Sequence, residues 1–362
     1  MPLSQIKPEH YDQQLNQKAD RIKALFAELS PPSLTVFPSQ PLHYRMRTEF
    51  KIWHQDNDSF YVMFRPEDPK VPHRVDQFPV ASKTINRLMP ELMTAVLQTP
   101  VLRQRLFQVE FLSTQTDEAL ITLIYHKKLD EEWEAAARTL QQALNCQVIG
   151  RARKQKLVLN TDFVTEQLNV DGKTYSYQQV EGSFTQPNAG INEKMLHWAL
   201  SETQQLGGDL LELYCGNGNF TAVLAQNFNQ VLATEISKTS VRSALYNFEL
   251  NGIENVQIAR MSSEELTAAL MGEREFRRLK DIELDSYQFS TILVDPPRAG
   301  LDKATEQLVS RFDNIIYISC NPDTLHGNLE TLCKSHEIQQ FAIFDQFPYT
   351  HHIEIGVRLA KR

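Results

Sequence analysis

The chain has 362 residues, 41% of them hydrophobic and 23% charged, with a formal net charge of −8. That length suits about two domains of about 100–200 residues each, and the apolar fraction is that of an ordinary globular protein. No run approaches the ~18 consecutive apolar residues of a membrane helix, and the opening Met-Pro-Leu-Ser-Gln-Ile-Lys shows no basic segment followed by an apolar run, so a membrane protein and an exported one are both unexpected and a cytoplasmic location is expected.

In chain order, apolar residues Tyr11, Leu15, Ala19, Ile22, Leu25, Phe26 and Leu29 recur every three or four positions, which predicts an amphipathic helix over 8–29 ended by Ser30-Pro31-Pro32. Two alternating runs, 44–53 and 59–64, flank Gln55-Asp-Asn-Asp58 and predict a hairpin. A helix is expected near 81–98, strands near 106–112 and 119–125, and a helix near 130–145. Val148–Val158 reads as one strand, with short strands following through Tyr175–Val180. This half is mixed α+β. Residues 1–185 carry 22 basic and 22 acidic side chains, so the whole −8 belongs to the remainder. The basic residues cluster at Arg45/Arg47/Lys51, Arg103/Arg105, Lys127/Lys128 and Arg151/Arg153/Lys154/Lys156. If nucleic acid binds, this half is where it should do so; surface solvation is the plainer reading of the same charges.

From about residue 190 short apolar strands alternate with helices: 209–213, 230–234, 256–259, 290–294 and 314–318, then two longer strands near 337–346 and 353–360. That alternation predicts a doubly wound, mainly parallel α/β sheet, which binds ligands beyond the carboxyl ends of its strands. The charged stretch 272–285 reads as a surface insertion.

The first of these strands runs into Tyr214-Cys-Gly-Asn-Gly-Asn219, where Gly216 and Gly218 permit a tight turn, and Glu235 closes the second strand. A strand-end acid there can accept hydrogen bonds from ribose hydroxyls. Thr221 stands where a dinucleotide fingerprint has its third glycine, which favours S-adenosylmethionine over NAD; a plain glycine turn with an exposed acid remains open. The fourth strand ends in Asp295-Pro-Pro-Arg298, and the fifth in Ser319-Cys-Asn-Pro-Asp323. Cys320 thus precedes a helix N-terminus, whose dipole and free N–H groups favour a thiolate, although a buried inert cysteine is the usual alternative. Glu354 opens the final strand, with His351 and His352 as rival bases. The other thiols, Cys146, Cys215 and Cys333, are widely spaced, so neither disulfides nor a metal site is expected.

Taken together, Leu213-Tyr-Cys-Gly-Asn-Gly-Asn-Phe220, Asp295-Pro-Pro-Arg298, Ser319-Cys-Asn-Pro-Asp-Thr324 and Phe347-Pro-Tyr-Thr-His-His-Ile-Glu354 resemble the RNA uracil-5-methyltransferases. The likeness runs nearly end to end, through His43-Tyr-Arg-Met-Arg-Thr-Glu-Phe50 and Tyr125-His-Lys-Lys-Leu129, and is greatest to the tRNA-directed bacterial branch. It implies an α+β RNA-binding region at 1–185 and a Rossmann-like S-adenosylmethionine-dependent domain at 186–362. The implied substrate is U54 in the T-loop of tRNA, with the similar loop of tmRNA as a second target, and the implied state is a monomer without metal. Cys320 would be the nucleophile, Glu354 the proton acceptor and Asp295 a third catalytic group. Gln186, Tyr214, Gly216, Asn219, Glu235 and Asp295 would surround the cofactor. Phe107, His126, Arg45, Arg47, Lys51 and Lys127 would meet RNA.

Three rivals are weighed against this. Amino-group methyltransferases follow Pro-Pro with an aromatic residue, whereas position 298 is Arg. Ribosomal-RNA relatives carry an N-terminal four-cysteine cluster, whereas no cysteine precedes Cys146. An RNA chaperone on an inactive scaffold would have no use for Cys320, Asp295 and Glu354 together.

Overall fold

The computed structural model describes residues 6–65 and 68–362; residues 1–5, part of the opening read for an export signal, lie outside them. The chain's contacts divide it into two compact units. Among the described residues one comprises 6–9, 40–65, 68–167 and 178–189, and the other 10–39, 168–177 and 190–362. The expected division was a single cut at 185/186. The units instead interleave, because the amphipathic first helix buries its stripe in the core of the second.

The first unit is built on a sheet of seven strands among the described residues, in the order 68–74, 58–65, 47–55, 106–113, 119–125, 147–152, 155–158. Its helices carry the side-chain caps their sequences supply. Ser82 accepts from the Ile85 amide at the head of Lys83–Gln98, and Asp130 accepts from Trp133 at the head of Glu131–Leu144, each cap contributing about 1 kcal/mol. The expected single strand 148–158 is two antiparallel strands, Gln147–Ala152 and Gln155–Val158. Arg153 and Lys154 form the turn between them, with Lys154 in the left-handed region at φ 59°. The turn disposes of a four-charge row that a continuous strand would have spread along an edge. The strand Asp68–Arg74, paired to Asp58–Arg65, was not anticipated; Pro69 and Pro72 hid it, since proline fits only edge positions of a sheet.

In the second unit the strand order is 35–37, 336–344, 354–361, 314–319, 289–294, 209–213, 231–234, 256–259. From 256–259 to 314–319 the strands are parallel, and Glu354–Lys361 runs antiparallel between Asn314–Ser319 and His336–Phe344. This is the doubly wound sheet the alternation predicts, closed by a reversed hairpin. Thr35–Phe37 adds an unanticipated edge strand parallel to Ala342–Phe344. Strands 209–213 and 231–234 are buried at every position, as a sheet covered on both faces requires. The first helix, Tyr11–Phe26, inserts Ala19, Ile22 and Phe26 into the cluster that holds Leu211, Ile292, Ile315 and Val357. Each large apolar side chain buried there contributes about 1.5–3 kcal/mol. Among the described residues no helix is long and apolar enough to cross a membrane.

Candidate active site

The sheet register aligns the chemistry. The antiparallel ladder between Asn314–Ser319 and Glu354–Lys361 ends at Ser319 opposite Ile355, so the next opposed positions are Cys320 and Glu354. Val294 pairs Tyr317 on one side and Leu213 on the other, so Asp295 and Tyr214 each follow a strand end in neighbouring rows. Asn321 caps the helix Pro322–Leu332 by accepting from the Asp323 amide, with Pro322 at the first helical position, where its missing N–H costs nothing. The Arg298 carbonyl accepts from Asn321 Nδ2 at 2.9 Å and from Thr324 Oγ1 at 3.2 Å. The Asp-Pro-Pro-Arg loop is thereby tied to the turn that carries Cys320.

Cys320 lines a cavity of about 340 Å³, together with Arg21, Arg298, Asn321, His351 and His352. Glu354, 7% exposed, and Asp295 lie beside this cavity rather than in its wall. The three groups act on one another electrostatically. Burial raises the Glu354 pKa well above the carboxylate range, Asp295 raises it further, and Arg298 opposes both. Burial brings Asp295 to about 7; it keeps some accessible surface, but the protein crowded around it leaves its charge poorly solvated. The Cys320 thiol is also raised, by burial first and then by Glu354 and Asp295, with Arg298 lowering it. Partial burial and two carboxyl groups thus act against the thiolate that the helix N-terminus favours.

Of the two rival bases, His352 is already engaged. Arg298 Nη2 donates to His352 Nδ1 at 2.9 Å, and burial with neighbouring cations lowers the His352 pKa, so that ring nitrogen is occupied as an acceptor.

The cofactor turn is shaped as its glycines require. Tyr214, Gly216 and Gly218 all take left-handed backbone, at φ 62°, 58° and 79°. A side chain at Gly218 would meet Phe248 at 2.6 Å, while at Gly216 nothing lies within 4 Å. Gly218 allows helix packing and Gly216 leaves backbone open to a ligand. Glu235 accepts from the Gly216 amide at 3.1 Å and from the Ser237 amide at 2.6 Å. Two fixed amides hold that carboxylate, with lone pairs left over for hydroxyl donors. Asn219 exchanges two hydrogen bonds with Asn192 at 2.8 and 2.9 Å, and Ser263 Oγ donates to Tyr214 Oη at 2.7 Å. Cys215 is buried. Gln186 belongs to the other compact unit.

In the first unit the candidate RNA residues fall into two sets. Phe107 sits at a register irregularity of its strand, between Leu106 and Gln108, and such a bulge re-aims a side chain. Its ring stacks on His126 with centroids 4.1 Å apart, and the Lys51 ammonium lies 4.0 Å from its centre. Phe107 is half-buried and His126 exposed, so the ring is not packed as a core-strand residue. Lys51 also donates to Gln108 Oε1 at 2.6 Å, and the other cations likewise have internal partners. Arg45 Nε donates to the Arg47 carbonyl, Arg47 to the Ser183 carbonyl, and Lys127 to the Val101 carbonyl. In the largest basic cluster Arg151 makes a two-pronged bond to Glu181 and Lys156 pairs with Asp162.

Sequence reasoning missed Arg298 as a participant, and it missed Glu212, buried in the central strand with a pKa raised to about 8 by burial. An acid flanked by leucines inside the strand Asp209–Leu213 was the available signal for Glu212. For Arg298 it was the cation four residues after the strand end.

The reversed terminal hairpin and the glycine turn at the first strand define a Rossmann-type methyltransferase domain. A chain from Pyrococcus abyssi, solved as tRNA (uracil-54, C5)-methyltransferase with S-adenosyl-L-homocysteine, shares the fold at a TM-score of 0.74 and 20% identity, covering 97% of this chain and 83% of that one. The sequence profile of the tRNA (uracil-5-)-methyltransferase family matches residues 10–362. The tRNA/tmRNA (uracil-C(5))-methyltransferase of Cellvibrio japonicus is 60% identical over 97% of this chain and 96% of its own length. That of Saccharophagus degradans is 57% identical over 99% of each. The chain belongs to the tRNA (uracil-5-)-methyltransferase family, and it is an enzyme that depends on S-adenosylmethionine.

Proposed function

We propose that the chain methylates carbon 5 of U54 in the T-loop of tRNA, and of the matching uridine in tmRNA, with Cys320 as covalent nucleophile and Glu354 as the base that completes the reaction. The observation that carries this reading is the ladder end that puts Cys320 opposite Glu354. The relatives' names supply the tRNA and tmRNA substrates. A monomer in the cytoplasm completes the proposal.

Carbon 5 of uracil is a weak nucleophile. After the Cys320 proton passes to solvent through the open cavity, the thiolate adds to carbon 6 and the ring becomes an enolate with charge on carbon 5. This splits one hard step into easier ones. S-adenosylmethionine, when bound, supplies an electrophilic methyl that carbon 5 takes up. Carbon 5 then bears both the methyl group and its original proton. Glu354 removes that proton, the electron pair re-forms the 5,6 double bond, and the Cys320 thiolate leaves. Asp295, whose pKa burial raises to about 7, keeps a protonated fraction near neutrality that can donate a hydrogen bond to a uracil carbonyl and stabilise the enolate. The residues proposed to hold the cofactor are Tyr214, Gly216, Asn219 and Glu235, with Gln186 and Asp295 carried from the family motifs to both ligands. A T-loop uridine must leave its stack to reach such a site. Phe107 and His126 offer bases a stacking surface, with Lys51, Arg45, Arg47 and Lys127 assigned to phosphates.

Replacing Cys320 by Ala tests the reading. Methylation should vanish while tRNA affinity, measured by filter binding, stays within a few-fold; turnover by that variant would overturn it.

A further inference from the structure

Lys18 is out of place by composition. It lies on the apolar stripe of the Tyr11–Phe26 helix, three residues after Leu15 and four before Ile22, and its side chain is 5% exposed. A buried ammonium must be paired and fully bonded to be tolerated. Lys18 donates to Asp345 Oδ1 at 2.6 Å, to the Phe347 carbonyl at 2.9 Å and to the His352 carbonyl at 2.8 Å. Those acceptors bracket the loop that leads from the end of His336–Phe344 to Glu354. The same helix face grips the loop elsewhere. Gln14 exchanges bonds with Thr350 and Tyr349 at 2.9 and 3.0 Å, and Arg21 donates to the His351 carbonyl at 2.7 Å. Gln14, Lys18 and Arg21 are spaced four and three apart, so they share one face of the helix.

The geometry points to Lys18 as a positioning residue for Glu354: its ammonium fixes the 345–352 loop and so sets where the final strand delivers the base. The His352 carbonyl it binds is two residues from Glu354, and the His352 ring accepts from Arg298, so the same grip reaches the Asp-Pro-Pro-Arg loop. This inference rests on the proposed role of Glu354. A misplaced base leaves thiolate addition and methyl transfer intact but slows removal of the carbon-5 proton, so the enzyme–RNA adduct should build up.

The test uses the full chain with S-adenosylmethionine and a tRNA transcript, scoring covalent adduct on denaturing gels and single-turnover rates. The variants are Glu354→Gln, Asp345→Asn and the double Lys18→Met/Asp345→Asn, which avoids a buried unpaired carboxylate. Glu354→Gln should accumulate adduct. The double variant should do likewise, with turnover falling about 100-fold, the scale of a misplacement near 1 Å. Asp345→Asn alone removes the ammonium's counter-charge and should lower the melting temperature, but it should not accumulate adduct, because both carbonyl bonds remain. If the double variant does not fold, Lys18→Arg replaces it; that longer planar group cannot satisfy three acceptors set around an ammonium, so adduct is expected again. Accumulation in Glu354→Gln but in neither Lys18 variant overturns the inference and leaves the base in place. No accumulation in Glu354→Gln removes the base reading, and this inference with it.

Discussion

Replacing Asp295 by asparagine should stabilise the fold while disabling the enzyme, and the gain follows from the site. Burial raises the Asp295 pKa from 3.8 to about 7. Each unit corresponds to about 1.4 kcal/mol, so ionising this group in the native protein costs up to about 4 kcal/mol, and about 2–4 once water in the neighbouring cavity is allowed for. The sign follows from proton binding. Between pH 3.8 and about 7 the unfolded chain has lost the proton and the native state still holds it, so wild-type stability falls as pH rises through that window. Asparagine has no proton to lose, so the advantage of the variant should be small at pH 4, grow through pH 7 and then level off. Urea denaturation of both proteins from pH 4 to 8 measures it. A difference that stays flat with pH would refute the buried-acid account of Asp295.

The remaining predictions concern catalysis and binding. Because the Cys320 thiol is raised and must act deprotonated, while Asp295, brought to about 7 by burial, acts protonated, single-turnover methyl transfer should rise with pH from 6 and then pass through a maximum before pH 9; a profile flat over that range would contradict the assigned roles. Gly218→Ala forces a left-handed alanine, costing about 1–2 kcal/mol, and drives its side chain into Phe248. Its S-adenosylhomocysteine affinity by calorimetry should drop more than tenfold, and unchanged affinity would count against the turn as cofactor site. Phe107→Ala should raise KM for tRNA by about 10–100-fold, the scale of one lost base stack, with the melting temperature unmoved. A lowered melting temperature at normal KM would mark the ring as structural.

The parts of this fold that were legible were those with strong local signals. Strands 209–213, 256–259 and 119–125 stand out as short apolar runs bounded by turns, and the first helix by its periodicity, because burial on one face or both writes itself into the sequence. What stayed hidden depends on distant partners. Thr35–Phe37 is three residues long and becomes a strand only by pairing with Ala342–Phe344. The turn at Arg153-Lys154 carries no glycine to announce it. The nucleophile, acid and base were readable because each immediately follows a strand or opens one, where an α/β sheet presents its ligands. Their raised pKa values were not readable, since these come first from burial, and for Cys320 and Glu354 also from acidic neighbours brought in from distant positions. Lys18 was visible as a charge on an apolar stripe, but its meaning needed the loop it binds.

The central claim is a sulfur–carbon bond at residue 320. Incubating the enzyme and S-adenosylmethionine with tRNA in which 5-fluorouracil replaces uracil should trap it, because fluorine at carbon 5 cannot be removed as a proton and the thiolate cannot leave. Mass spectrometry of the digested complex should find methylated fluorouridine on the peptide carrying Cys320. Attachment at Cys146, Cys215 or Cys333, or full turnover with no adduct, would contradict the account.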